Sequence, residues 1–177
     1  IGMTTLAYAS VAKSGLSFPR QLWLRPEIIP GLREVTNAIH REGAAAGIQI
    51  GHCGNMSHKS ICGVTPISAS SGFNIYSPTW VRGMKKEEIP EMARTYGRAV
   101  NMAREAGFDA VEVHAGHGYL ISQFLSPYTN HRKDEYGGSL ENRMRFMKMC
   151  MEEVMKAAGS DMAVLVKTNM RLSLIHI

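Results

Sequence analysis

Several features are scarce or missing in this 177-residue sequence. No run of about 18 consecutive apolar residues is present, so no transmembrane helix is predicted. The beginning of the chain, at residues 1–5, has no basic region of the kind that opens a signal peptide. Only three cysteines occur. An odd cysteine count in a chain of this length fits a reducing compartment better than a disulfide scaffold, and we expect a cytoplasmic protein.

A stripe of positive charge is also missing. The 20 Lys and Arg residues outnumber the 15 Asp and Glu residues, which gives a formal net charge of +5. The basic residues alternate with acidic ones, as in residues 85–88 and 131–135, whereas a nucleic-acid groove needs them on one face. We therefore expect neither a nucleic-acid nor a membrane partner. The 45% of hydrophobic residues and 20% of charged residues are typical of a folded globular domain.

Three common catalytic motifs do not occur. The sequence has no G-x-S-x-G motif, which argues against a serine hydrolase elbow. It has no Walker A motif, and Gly116-His117-Gly118 lacks the third glycine of a G-x-G-x-x-G dinucleotide loop. The function must therefore depend on other residues.

Apolar residues at steps of three and four predict three helices. They cover residues 31–42, 87–106 and 141–158, and each is followed by a glycine. Among the residues expected to face the core are Leu32, Val35 and Ile39 of the first helix and the methionines of the third, including Met155. Methionine at this spacing is typical of a core rather than of a ligand surface.

Short apolar runs alternate with these helices. Residues 1–6, 44–50, 109–114 and 162–167 lack helical spacing, as buried parallel strands do. This order predicts a single α/β domain with a parallel sheet. Residues 51–84 form a long insert rich in Gly, Ser, Thr and Pro, and an insert of this length is usually functional or a small subdomain.

Polar side chains cluster where the predicted strands end. Gln49 ends one strand, His114, His117 and Tyr119 follow the next, and Lys167 ends the last. Ligands of parallel α/β folds bind at this carboxyl edge, so we expect these residues to meet there.

His114 and His117 can donate hydrogen bonds to one oxygen atom, and the Tyr119 phenol can act as an acid. Two alternatives stay open: one histidine is a core residue and Tyr119 caps the loop, or the His-x-x-His pair binds a metal. Gln49 could bind the edge of a pyrimidine-like ring. Lys167 is either a cation for an anionic ligand or a terminal side chain reaching solvent.

A zinc site is a further alternative. Two histidines and two cysteines lie close together in the sequence, but their spacing matches no usual pattern of paired ligands. They are His52, Cys53, His58 and Cys62.

Residues 111–146, VEVHAGHGYLISQFLSPYTNHRKDEYGGSLENRMRF, closely resemble the signature stretch of the old yellow enzyme family. The Q-x-x-H-x-G element at residues 49–54 resembles the same family, as does the opening at residues 1–11. These FMN-dependent NADH:flavin oxidoreductases include ene-reductases and the flavin domain of 2,4-dienoyl-CoA reductases.

The resemblance implies a (β/α)8 TIM barrel, of which residues 1–177 would be a fragment covering about strands 2 to 5. The loops that hold the FMN phosphate in the family, and any region with an iron–sulfur cluster, would lie beyond this chain. Such a half barrel, taken alone, should aggregate or stay partly unfolded, and it should retain little FMN. A homo-oligomeric parent is left open. Residues 172–177 do not resemble the family and are interpreted as a sequence-assembly artefact.

The resemblance also assigns roles. Gln49 would contact the flavin pyrimidine ring, Lys167 would lie near flavin N1 and O2, and Ala7 would make a backbone contact. His114 and His117 would bind the carbonyl oxygen of the substrate, and Tyr119 would be the proton donor.

The implied reaction moves a hydride from NADH or NADPH through FMN to an electron-poor alkene, an enone or an enoyl thioester. Asn55 departs from the family pattern, which commonly has arginine there. The rival hypotheses are a non-catalytic half barrel and a metal-binding module.

Overall fold

The computed structural model describes residues 1–169, so the tail at 172–177 lies outside the described part. The strands are β1 (Met3–Ser10), β2 (Ala45–Gly51), β3 (Ile67–Ser68), β4 (Gly72–Asn74), β5 (Thr79–Gly83), β6 (Ala110–His114) and β7 (Ala163–Lys167). The helices are α1 (Ile29–Arg41), α2 (Lys59–Cys62), α3 (Glu88–Glu105), α4 (Leu120–Leu125) and α5 (Leu140–Ala158). The three predicted long helices and the four predicted strands are confirmed.

The main sheet has four parallel strands in the order β1-β2-β6-β7. Side chains alternate between its two faces. On β2, Ile48 and Ile50 face the same side, and both are fully buried in the hydrophobic core with residues of α3. Gln49 points to the opposite face. One face therefore packs against helices, and the other carries the polar residues.

The helices pack closely on the sheet. α3 lies against both α5 and α1. At Gly97 of α3, a side chain would place its Cβ 3.1 Å from the Glu153 carbonyl oxygen, so glycine permits the close approach to α5. α5 begins at Ser139, whose side chain accepts a hydrogen bond from the Asn142 amide.

Two predicted core positions are wrong. Val35 is 40% exposed and Met155 is 53% exposed. Val35 lies on α1 and Met155 on α5. Each helix has a buried stripe, and each of these residues lies at the margin of that stripe. Leu32 and Val154 occupy the centre of the same stripes and are buried.

The segment predicted as a long insert, residues 51–84, carries secondary structure of its own. It contains α2 and a second sheet in the order β3-β5-β4. Arg132 fixes this small sheet to the rest of the fold, because its guanidinium donates to the carbonyls of Ala69 and Met84. Asp134 accepts from the same guanidinium at 2.6 Å, and only 10% of the Arg132 side chain is exposed.

The four-stranded sheet covers part of a (β/α)8 barrel. β2 and β6 are almost entirely buried, whereas half of the residues of β1 and most of those of β7 are exposed. No helix within residues 1–169 combines the length and apolarity that crossing a membrane requires.

Candidate active site

The register of the sheet brings the candidate residues to one face. Gln49 of β2 is paired with Glu112 of β6, and His114 of β6 is paired with Lys167 of β7. Glu112 and His114 are two residues apart, so all four side chains point to the same side of the sheet. This is the face opposite the helices, near the carboxyl ends of the strands.

Three rings form a compact cluster just beyond β6. The ring centroid of His114 lies 4.9 Å from that of His117 and 4.8 Å from that of Tyr119. His117 has a positive φ of 55°, and its backbone N–H donates to Asn169 Oδ1 at 2.7 Å. The turn therefore reverses the chain, so that both imidazoles and the phenol lie side by side.

The His114 ring is held neutral and in one tautomer. Burial, assisted by the nearby His117 and Lys167, lowers the pKa of His114 to about 4. Its Nδ1 accepts the Gly116 N–H at 3.4 Å, so the proton of the neutral ring is on Nε2. His114 is thus a hydrogen-bond donor to any acceptor that reaches Nε2.

Tyr119 keeps its proton at neutral pH. Burial raises the pKa of its phenol above the ordinary value of 10.0. A protonated phenol beside a neutral imidazole donor can supply a proton to a bound molecule without carrying positive charge.

The strand ends beside this cluster could hold a cofactor ring. The Gln49 side chain is buried, and its amide donates to Glu112 Oε1. Ala7, within β1, and Lys167, at the end of β7, are both exposed. The Ala7–Tyr8 peptide bond is cis. An amide, an ammonium group and a neutral imidazole on one face suit the pyrimidine edge of a flavin, which both donates and accepts hydrogen bonds.

Sequence reasoning missed Gln123, which connects two loops of the site. Its Nε2 donates to the carbonyls of Cys53 and Gly118 at 3.1 and 2.6 Å and to Asn55 Oδ1 at 2.8 Å. Its Oε1 accepts the Asn55 N–H at 3.2 Å. The side chain is fully buried. A Cβ on Gly54 would lie 2.2 Å from Gln123 Oε1, so the loop can pass only because residue 54 is glycine.

Tyr8 was missed as well. Its ring packs edge-on against His114 and Tyr119, with centroids 5.9 and 5.4 Å away. A Cβ on Gly51 would lie 2.7 Å from Tyr8 Cε2 and 3.1 Å from His114 Cβ. Tyr8 therefore supports the ring cluster from the neighbouring strand. Its position in an unremarkable N-terminal strand gave no signal in the sequence.

The predicted zinc alternative finds no support. Within residues 1–169, no group of three or more His, Cys, Asp or Glu side chains is arranged to hold a metal. His52 Nδ1 accepts the Gly54 N–H, and Nε2 lies 3.0 Å from Ser14 Oγ. His58 Nε2 lies 2.7 Å from Ser77 Oγ. Burial raises the pKa of the Cys53 thiol to about 12, which disfavours the thiolate that a metal requires.

Comparison with known proteins gives consistent results. Residues 1–176 match the NADH:flavin oxidoreductase / NADH oxidase family, so the prediction that residues 172–176 do not resemble the family is wrong. The chain is 39% identical over 168 residues to 4,4'-dithiodibutanoate disulfide reductase of Rhodococcus erythropolis, covering 95% of this chain and 42% of the relative.

Two solved structures have the same fold. Morphinone reductase in complex with tetrahydroNAD superimposes with a TM-score of 0.90 at 28% identity, covering 96% of this chain and 52% of that one. The old yellow enzyme homologue from Zymomonas mobilis gives a TM-score of 0.84 at 31% identity, with 90% and 48% covered. The chain spans less than half the length of the curated relatives it matches, with 42%, 43% and 37% for three of them.

Proposed function

Because the chain belongs to the NADH:flavin oxidoreductase / NADH oxidase family, we propose that it carries the acceptor-binding part of the active site of an FMN-dependent oxidoreductase. The acceptor is an electron-poor alkene conjugated to a carbonyl, an enone or an enoyl thioester. The hydride donor is NADH or NADPH. The observation that carries this proposal is the ring cluster of His114, His117 and Tyr119.

Bound FMN would supply the hydride chemistry. Gln49, Lys167 and the Ala7 backbone are the residues of this chain that would hold its ring. A positive charge at Lys167 would favour the anionic form of a reduced flavin. Gln49 is oriented for this role by its hydrogen bond to Glu112.

The two imidazoles would bind the carbonyl oxygen of the acceptor. His114 donates through Nε2, since its Nδ1 already accepts the Gly116 N–H. His117 lies beside it and would donate the second hydrogen bond. Donors fixed at this oxygen stabilise the negative charge that develops there as a hydride reaches the β-carbon. They also make the β-carbon more electrophilic.

Tyr119 would complete the reduction by protonating the α-carbon. The phenol is protonated at neutral pH and lies in contact with His114. A general acid placed this way contributes roughly 10²- to 10⁴-fold to a rate.

The test is a Tyr119→Phe variant of the FMN-loaded full-length parent, with the two half-reactions measured separately by stopped-flow absorbance. We expect alkene reduction to slow by roughly 10²-fold or more, while flavin reduction by NAD(P)H changes little. Tyr136→Phe is the matched control, because its hydroxyl donates to Met149 Sδ, 3.8 Å away, outside the ring cluster. Equal losses in both half-reactions would remove Tyr119 from the proton-donor role.

A further inference from the structure

A cavity of about 560 Å³ lies beside the ring cluster, between the small sheet β3-β5-β4 and the loop that follows α4. Gly118, the residue between His117 and Tyr119, contributes to its lining, as does Asn55. The volume is within the range of small-molecule sites, about 300–1,000 Å³. A molecule held by the two histidines could therefore extend past Gly118 into this space.

The walls of the cavity are fixed by hydrogen bonds between separate segments. Asn74 Nδ2 donates to the Asn55 carbonyl at 2.8 Å, and Asn74 Oδ1 accepts the Tyr76 N–H at 3.0 Å. Ser70 Oγ accepts the His131 N–H at 2.9 Å, and Thr129 Oγ1 donates to the Gln123 carbonyl at 2.7 Å. The cavity is thus preformed, and these polar side chains are already engaged within the protein.

The remaining surface of the cavity is largely aromatic and aliphatic. Phe73, Tyr76 and Tyr128 all contribute to the lining and are 51%, 62% and 50% exposed. Among the described residues that line it there is no Asp, Glu, Lys or Arg, and His131 is the one side chain that can carry a positive charge. A phosphate or carboxylate would find no Lys or Arg there. A neutral ring could instead cover the exposed aromatic faces.

We propose that this cavity binds a neutral, flat ring substituent of the alkene acceptor, so that the preferred substrates are aryl-substituted conjugated carbonyl compounds. This inference rests on the proposed function, because it places the carbonyl of the same molecule at His114 and His117. The cavity then determines which acceptors bind, and the ring cluster carries out the reaction on them.

The test fills the cavity without disturbing its walls. A Cβ at Gly72, which lines the cavity, would meet no protein atom within 4 Å, so Gly72→Leu should fold. Gly31→Leu is the matched control, because a Cβ at Gly31 also meets nothing within 4 Å and Gly31 lies on α1, outside the cavity. A second variant, Tyr128→Ala, removes one aromatic wall, and Phe18→Ala is its control at an exposed aromatic residue outside the lining.

Each variant is made in the full-length parent, loaded with FMN, and assayed with but-3-en-2-one, with its 4-phenyl derivative and with the 4-(4-carboxyphenyl) derivative. We expect the unaltered protein to prefer the phenyl compound over the carboxyphenyl compound by roughly tenfold or more in kcat/KM. Gly72→Leu and Tyr128→Ala should each reduce kcat/KM for the phenyl compound by roughly tenfold and leave but-3-en-2-one within about twofold. The two control variants should resemble the unaltered protein.

Calorimetric binding of the saturated ketone 4-phenylbutan-2-one, which offers no alkene to reduce, separates this inference from the proposed function. Weaker binding of this ketone to both cavity variants supports the cavity assignment even if no alkene is reduced, and in that case the proposed function fails alone. The cavity proposal is overturned if both variants bind it and turn over the phenyl compound like the unaltered protein.

Discussion

One central strand of the main sheet, β6, and one outer strand, β7, have similar sequences but different surroundings. β6 reads AVEVH and β7 reads AVLVK, and both were predicted as buried parallel strands. Four of the five residues of β6 are buried, whereas Leu165 and Val166 of β7 are 39% and 40% exposed. An apolar run therefore predicts that a strand forms, but the next element in space decides whether it is buried.

The same contrast divides the candidate site. Gln49 and His114 lie on the central strands and are buried, with hydrogen bonds that fix their orientation. Ala7 and Lys167 lie on the outer strands and are exposed. The proposed acceptor-binding side of the site is thus held in place by hydrogen bonds within this chain, while the two other residues proposed to contact the flavin lie at its exposed margins.

The first prediction concerns the free energy of unfolding of one variant on a central strand and one on an outer strand. Ile48→Ala on β2 removes a fully buried side chain and should lower the free energy of unfolding by about 2–5 kcal/mol. Leu165→Ala on β7 removes a side chain that is already 39% exposed, and it should cost less than about 1 kcal/mol. Urea titration followed by circular dichroism measures both. Equal losses would mean that the outer strand is as well packed as the central one.

A substitution of Gln123 tests the part of the candidate site that is held by buried hydrogen bonds. Gln123→Leu leaves several buried groups without their partners, and each group left unsatisfied costs about 1–3 kcal/mol. We expect a lower free energy of unfolding and also a higher KM for the acceptor, because the Gly118 carbonyl loses its anchor between His117 and Tyr119.

Thr36→Val is the control for this variant. Thr36 is also fully buried, and its hydroxyl donates to the Ala106 carbonyl at 2.7 Å, but it lies on α1 and does not contact Gly118. A KM that rises equally in both variants would indicate that Gln123 acts only through general stability.

A pH-dependent loss of stability should appear on acidification. Burial lowers the pKa of His52 to about 3 and that of His114 to about 4, below the ordinary value of 6.5. As the pH falls below about 6.5, the unfolded chain binds these protons first. Stability is therefore complete above that pH and is lost towards pH 4, by about 1.4 kcal/mol per pH unit for each histidine.

His52→Gln should make this pH dependence shallower, as measured by urea titrations between pH 7 and pH 4. An unchanged slope would show that the buried imidazole of His52 is protonated as readily in the folded protein as in the unfolded chain.

Much of this structure could be predicted from local patterns. The spacing of apolar residues gave the three long helices and the four strands, and the short apolar runs between helices gave the parallel sheet. The pattern also placed Gln49, His114 and Lys167 at one edge, since parallel strands end together. The burial of individual helix positions such as Val35 and Met155 depended on how far neighbouring elements extend, which spacing alone does not contain.

The parts that could not be predicted depend on contacts between distant residues. Gln123 reads as an ordinary polar residue of a short helix, and only the fold brings it to Asn55 and Gly118. The cavity beside the ring cluster likewise requires the small sheet of residues 67–83, whose strands are too short to give a clear alternation. Long-range hydrogen bonds, rather than local preferences, build these features.

The central claim is that His114 and His117 together bind a carbonyl oxygen. Calorimetric titration of the FMN-loaded full-length parent with cyclohexanone tests it most directly. The site variants are His114→Ala and His117→Ala, and the control is His40→Ala, because the His40 ring bonds Asp109 away from the site. We predict that each site variant weakens binding by roughly tenfold, about 1.4 kcal/mol, while the control binds normally. Unchanged binding in both site variants would contradict the account.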